Sequence, residues 1–203
     1  MGKILNEVES GKIIKKYLPL VNQQFFKTGT EIKPKLKFPL FVKGVAEKIT
    51  HAKKMGFLMK VNTEKDLTKT ILDFKKNALN QKIKLDGILA QEMAVGQEFI
   101  IGIKKDKTFG HVIMLGIGGS HAEELKDVTF RLCPINKKVA ESMLLDLKNQ
   151  AILKMANQKK LVDALEKISK MPADYKNLLE LDLNPVIINE KDALVVDTLI
   201  VLE

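Results

Sequence analysis

Three strand-length apolar runs, LDGILAQEM (85–93), EFIIGI (98–103) and HVIMLGI (111–117), follow one another closely, punctuated by Gly96, Gly102, Gly110 and Gly116. Short apolar runs bounded by glycine read as strands. Strands joined so closely are candidates for antiparallel pairing, because a parallel neighbour needs a long crossover. The chain closes on two more, LELDLNPVII (179–188) and ALVVDTLIVL (193–202), separated by the turn residues Asn189 to Asp192. FPLFVKGV (38–45), GFLMKV (56–61) and a short stretch from Phe130 to Ile135 complete the strand set. Thr63 stands three residues before Asp66, close to a capping box, and Leu67, Ile71, Leu72 and Phe74 keep helical spacing, which predicts a helix over 64–79. Further helices are predicted over 137–148 and 158–170, with a short amphipathic one from Glu7 to Tyr17. Residues Pro19 to Lys37 read as irregular. Strands with interspersed helices predict an α+β fold of at most two lobes.

The remaining composition removes several function classes. The 203 residues are 45% hydrophobic and carry a formal charge of +9, yet Arg131 is the sole arginine and aromatics make up 5%. Base-edge readout favours arginine, and single-strand binding favours aromatic platforms. The lysines are also spread along the whole chain, so the charge reads as a solvated surface and not as a nucleic-acid footprint. Cys133 alone excludes an internal disulfide or a cysteine zinc cluster, and its apolar surroundings make it a buried spectator. No run approaches the roughly 20 apolar residues of a membrane helix. The opening MGKILNEVESGK lacks the apolar core of a secretory signal. The expectation is a soluble, cytoplasmic protein with no membrane contact.

Two stretches concentrate the chemistry. In GIGGSHAEELKDVTFR (116–131), Gly116, Gly118 and Gly119 follow an apolar strand. Glycine lets the backbone turn tightly and bring N–H groups to an anion; the competing reading is a tight turn at a strand end. Arg131 suggests a site needing a planar fork, for phosphate or carboxylate; the competing reading is a salt bridge to Asp127 or Glu123. In ELDLNP (180–185), Glu180, Asp182 and Asn184 alternate with leucines and share one face of a strand. A hairpin return places Asp197 beside Asn184, and mixed carboxylate and amide oxygens suit Mg²⁺. The alternative is a strand with one wet face running into a turn at Asn184-Pro185. Of the histidines, His111 begins a strand and reads as surface filler, whereas His51 and His121 lie near glycines in candidate loops, as general base or phosphoryl acceptor.

FPLFVKGVAEKITH, ILAQEMAVGQEFIIGIKKDKTFGHVIMLGIGG, EELKDVTFRLCPI and ELDLNPVII, in that order, resemble the ATP-grasp β subunit of the nucleoside-diphosphate-forming acyl-CoA synthetases. The nearest type is the archaeal ADP-forming acetate–CoA ligase. The resemblance runs from about residue 38 to 203. It implies two ATP-grasp lobes clamping a nucleotide: a short N-terminal helix and irregular segment over 1–37, a smaller lobe over 38–93, and a larger lobe with the Mg²⁺ site over 94–203. It implies that Lys43 holds nucleotide phosphates, that the backbone of Gln91, Glu92 and Met93 meets adenine, and that Glu98 lies near the sugar. Gly118, Gly119 and Glu123 fall on the family's G-G-x-x-x-E segment and Arg131 on its arginine. Asn184 and Asp197 match the Mg²⁺ ligands, with Asp182 on the neighbouring acidic position. His51 falls on the phosphoryl-carrying histidine, so the catalytic set is His51, Glu123 and Arg131.

In function, the resemblance implies an enzyme subunit using ATP or ADP with Mg²⁺. It would work with a CoA-binding α subunit in a hetero-oligomer to interconvert acyl-CoA, ADP and phosphate with acid, CoA and ATP. Departures from the family pattern motivate an alternative, a diverged non-catalytic nucleotide-binding or regulatory subunit. Ala52 replaces a lysine, Lys54 an acid, and Phe57 stands in a glycine pair, where it would crowd the backbone. Ser120 and His121 replace apolar and aromatic residues.

Overall fold

Of the three central runs, the second and third pair with each other and the first belongs to a different sheet. The computed structural model describes residues 2–49, 52–119 and 127–203. In chain order its elements begin with β1 (Lys3–Leu5), α1 (Glu7–Ile14), β2 (Gln23–Lys27), β3 (Leu40–Val45), β4 (Leu58–Val61) and α2 (Glu64–Asn80). Next come β5 (Gly87–Glu92), β6 (Gln97–Asp106), β7 (Gly110–Ile117) and β8 (Val128–Leu132). The helices α3 (Lys137–Asp146), α4 (Gln150–Met155), α5 (Gln158–Ser169) and α6 (Met171–Asp174) precede β9 (Leu178–Ile188), β10 (Ala193–Val195) and β11 (Thr198–Leu202). Two units result: a larger one of residues 1–5, 10–20 and 94–203, and a smaller one of 6–9 and 21–93. The first 37 residues are therefore not a separate piece. They are shared out, β1 to the larger unit's sheet and β2 to the smaller unit's.

The larger unit is built on an antiparallel sheet of seven strands among the described residues, ordered β1-β11-β9-β6-β7-β8 with β10 also on β9. Registered rows give each face its character. Leu5, Ile200, Leu181, Ile103, Ile113 and Arg131 lie opposite one another in turn, and so form one row on one face. The apolar members of that row are buried together with Met143 and Leu144 of α3 and Leu161, Leu165 and Ile168 of α5. The next row, Leu199, Asp182, Gly102, Met114 and Phe130, faces away from the helices.

The smaller unit carries the sheet β2-β5-β3-β4. Its core, with Leu40, Val42, Phe57, Val61 and Ala90, packs on Leu67, Phe74 and Ala78 of α2. The capping box forms: Asp66 N donates to Thr63 Oγ1 at 3.1 Å and Thr63 N donates to Asp66 Oδ2 at 3.1 Å. That satisfies orphan donors of the first turn and explains why the helix starts where the sequence places it. No helix among the described residues is long and apolar enough to cross a membrane.

Candidate functional site

Asn184 sits at a dislocation in the larger sheet. On one side Phe99 pairs Val186 while Ile101 pairs Leu183, so Asn184 and Pro185 together oppose Ile100, a β-bulge. On the other side the C-terminal strand breaks between Val195 and Thr198, and Asn184 N donates to Asp197 O at 3.3 Å. Val196 N reaches Pro185 O at 3.1 Å, which keeps β10 and β11 end to end along β9. The run ALVVDTLIVL, read as one strand, is thus two. The break brings the exposed Asn184 and the half-buried Asp197 side by side, while Asp197 Oδ1 also accepts from Thr198 N at 3.0 Å. Asp182 lies two residues back on the face away from the helices. It borders a cavity of about 500 Å³ lined also by Gly102, Met114, Phe130, Lys104 and Glu180, to which neither Asn184 nor Asp197 contributes. Among the described residues no group of three or more His, Cys, Asp or Glu comes together to hold a metal. Two carboxylates and one amide suit a hard cation that takes its remaining ligands from water and phosphate.

Glu98 shares the strand parity of Gly102 on β6 and is exposed. Its carbonyl accepts from Gly118 N at 2.8 Å. A side chain at 118 would bring Cβ to 2.9 Å from the Glu98 carbonyl carbon, and Gly119 has φ +100°. The first glycine thus permits close strand approach and the second permits a left-handed turn. The Gly118 amide is spent on Glu98, so the expected anion-facing N–H at this position is instead a rung of the ladder.

Arg131 lies on the opposite face from Asp182. Its guanidinium donates to Asp146 Oδ2 at 2.6 Å, Ser142 Oγ at 3.1 Å, Thr129 Oγ1 at 3.2 Å and Phe130 O at 2.8 Å. Cys133 N donates to His111 O and Ile117 N to Asp127 O. With that alternation the peptide groups of Val128, Phe130 and Leu132 point to the outer edge of the sheet. The planar fork therefore ties α3 to the edge strand and covers an outward carbonyl, which a lysine's point charge cannot do in one geometry. The salt bridge runs to Asp146 and not to Asp127, whose carboxylate instead holds Lys148 N and Asn149 N at 2.8 Å each.

The Arg131 hydrogen bond, then that of Thr129, holds the Asp146 carboxyl below its ordinary range. A carboxyl whose pKa is lowered by folding adds stability present above the unfolded pKa and lost as pH falls through the folded one. Arg131→Lys is accordingly expected to lower Tm at neutral pH and to flatten its fall below about pH 4. Circular dichroism melts across pH check this; equal acid slopes in both proteins would remove the bridge from the account.

In the smaller unit, Lys43 and Gln91 occupy the sheet face opposite the α2-packed core. Lys43 is 2% exposed and its Nζ meets Glu7 Oε1 at 2.5 Å. Gln91 Nε2 donates to Gln23 Oε1 at 2.7 Å. Glu92 N donates to Asn22 O at 2.9 Å and Glu92 Oε1 accepts from Lys37 N at 2.8 Å, so the Glu92 peptide is engaged within the unit. Met93, just past the strand, is 39% exposed. Phe57 turns into the core, away from the Lys43 face, so the expected crowding gives way to ordinary packing.

His51, His121 and Glu123 lie outside the described residues. His111 is no surface filler: its Nε2 bonds Leu178 O at 2.8 Å, linking β7 to the start of β9. Burial pushes the Cys133 thiol up to about 11, which leaves it protonated and unreactive near neutrality. Sequence reasoning missed Glu7, because the partner of a buried lysine 36 positions away leaves no local signal.

Comparison with known proteins places this chain in a family. The profile of the ATP-grasp domain matches residues 1–202. The chain is 37% identical, over 92% of its length, to the 4-hydroxybutyrate–CoA ligase [ADP-forming] of Nitrosopumilus maritimus, and spans 29% of that protein. It is 34% identical to the acetate–CoA ligase [ADP-forming] II subunit beta of Pyrococcus furiosus, over 97% of this chain and 91% of that one. The solved dinucleotide forming acetyl-coenzyme A synthetase 1 of Ca. Korarchaeum cryptofilum, in complex with coenzyme A, Ca-AMPCP and HgCl+, superposes with a TM-score of 0.91 at 30% identity, covering 99% of this chain and 94% of that one. A second structure of that protein, with coenzyme A and Mg-AMPPCP, gives a TM-score of 0.83 at 28% identity, covering 99% and 93%. The chain therefore belongs to the ATP-grasp domain family, alongside the β subunits of ADP-forming acetate–CoA ligases.

Proposed function

We propose that this chain is the nucleotide-binding subunit of an ADP-forming acyl-CoA synthetase, interconverting acyl-CoA, ADP and phosphate with acid, CoA and ATP together with a CoA-binding α subunit. The observation that carries the reading is the pairing of Asn184 with Asp197 at the strand break, with Asp182 on the same open face. These three would hold Mg²⁺, which supplies charge neutralisation to nucleotide phosphates. Lys43 adds a cation for phosphate, and its ion pair with Glu7 orients the ammonium within the smaller unit. Glu98 offers a carboxylate to ribose hydroxyls, and Gln91 to Met93 offer polar and apolar contacts to the base. Phosphoryl transfer of this kind needs positioning and charge compensation more than covalent chemistry from the protein. His51 is the one covalent participant, since a neutral imidazole nitrogen is a competent nucleophile near pH 7.

A second reading, nucleotide binding without turnover, is favoured by Ala52 and Lys54 beside His51. One experiment separates the two. The chain is combined with its α subunit, acyl-CoA, ADP, Mg²⁺ and labelled phosphate, and ATP formation and acid-labile, base-stable label are followed. The expected result is ATP synthesis with label on His51, both lost in His51→Ala. Label on His121 would move the carrier. A nucleotide-induced rise in Tm without label or ATP would establish the binding subunit, and no thermal or calorimetric response to nucleotide would end both readings.

A further inference from the structure

The solvent face of α2 has a composition that the nucleotide site does not use. An α-helix returns to nearly the same azimuth every seventh residue. Lys65, Leu72 and Leu79 therefore stand in one line, with Lys69 and Lys76 on one flank and Thr68 and Lys75 on the other. This stripe, roughly a third of the circumference, contains four lysines, two leucines and no acid. Glu64, Asp66 and Asp73 all fall outside it. Leu72 is 53% and Leu79 78% exposed, and none of the four lysines forms an ion pair with a described residue. The opposite face, with Leu67, Phe74 and Ala78, is the core of the smaller unit.

Leucines one heptad apart amid cations ask for an occupant with an apolar centre and an acidic rim. A bilayer is a poor match, because the helix is anchored by its other face and presents no aromatic residue. Nucleic acid would use the lysines and leave the leucines wet. A protein surface uses both, apolar contact at the centre and opposite charge at the rim. We propose that the Leu72–Leu79 stripe of α2 docks an acidic, apolar-centred face of the CoA-binding subunit; this rests on the functional reading above and assigns the surface through which the subunits meet.

The test uses the full chain and the purified CoA-binding subunit, titrated by calorimetry at low and high salt. Wild type is expected to bind, more weakly as salt rises. Leu72→Glu/Leu79→Glu and Lys65→Glu/Lys69→Glu/Lys76→Glu are each expected to lose about tenfold or more in affinity, with wild-type nucleotide binding and helix content. Lys154→Glu/Lys159→Glu, a reversal of exposed lysines on the larger unit, is expected to match wild type. Binding in wild type that survives both α2 variants overturns the docking surface and leaves the functional reading intact. Equal weakening by the control reversal also overturns it, since bulk charge would then be responsible. Wild type that binds nucleotide but not the subunit overturns the partnership itself. Capture of phosphatidylserine vesicles or of an RNA duplex, lost in the α2 variants while subunit binding is kept, overturns the choice of occupant.

Discussion

Replacing Asn184 and Asp197 together with alanine is expected to weaken Mg²⁺-dependent nucleotide binding by about 100-fold or more, since even outer partners of a metal site cost 10–100-fold when removed. The sheet should survive the change. The contacts that join the two positions are made by backbone atoms, Asn184 N to Asp197 O and Val196 N to Pro185 O, and the Asn184 side chain is exposed. The change at 197 removes the Thr198 N to Asp197 Oδ1 bond at the start of β11. Calorimetry of ADP with Mg²⁺ and with a chelator in its place separates the contributions. The variant should resemble wild type in chelator and fail to gain from the metal. An unchanged response to Mg²⁺, with circular dichroism identical to wild type, would reduce ELDLNP to a strand with one wet face.

The largest stability effect is expected at Phe57. Its side chain is fully buried, its ring meets Phe74 edge to face at 5.7 Å between centroids, and its carbonyl accepts from Gly44 N at 2.9 Å. A Cβ at residue 44 would lie 2.8 Å from Phe57 Cδ1, so the glycine in β3 and the phenylalanine before β4 are one packing unit. Phe57→Ala removes an aromatic from a small core and is expected to cost about 3–5 kcal/mol, a large share of a typical domain's margin. Phe57→Leu keeps most of the volume and should cost about 1–2 kcal/mol. Urea unfolding checks both, with the loss expected in the transition that reports the smaller unit. Midpoints within experimental scatter of wild type would mean that Phe57 faces outward in solution.

Local pattern carried far where the signal was local. The Thr63–Asp66 box and the apolar spacing of α2 are short-range, and the helix ends within one residue of its expected limits at Asn80. Alternation in ELDLN identified the wet face of β9 before any sheet was known, because side chains alternate along any strand. By contrast β2 is only QQFFK, polar at its start and set in a lysine-rich stretch, and it becomes a strand because β5 offers it an edge from Gln23 to Lys27. The strand β1, three residues long, exists only through β11. The six-residue α4 is too short for periodicity to show.

The site divides along the same line. The residue types at 182, 184 and 197, the glycines at 118 and 119, and the family itself follow from the sequence alone, since oxygen donors, turn-permitting glycines and motif order are properties of the chain. Which of them meet was decided by tertiary structure. The bulge opposite Ile100 and the break after Val195 set Asp197 beside Asn184. Strand parity sent the lone Arg131 to the helix-covered face, where Asp146 holds it. Gly118 gave its amide to Glu98, and Lys43 found Glu7. Each of these joins residues far apart in the chain or depends on the register between strands, and register is settled by burying one whole face of a sheet, an energy summed over the core that no short stretch of sequence contains.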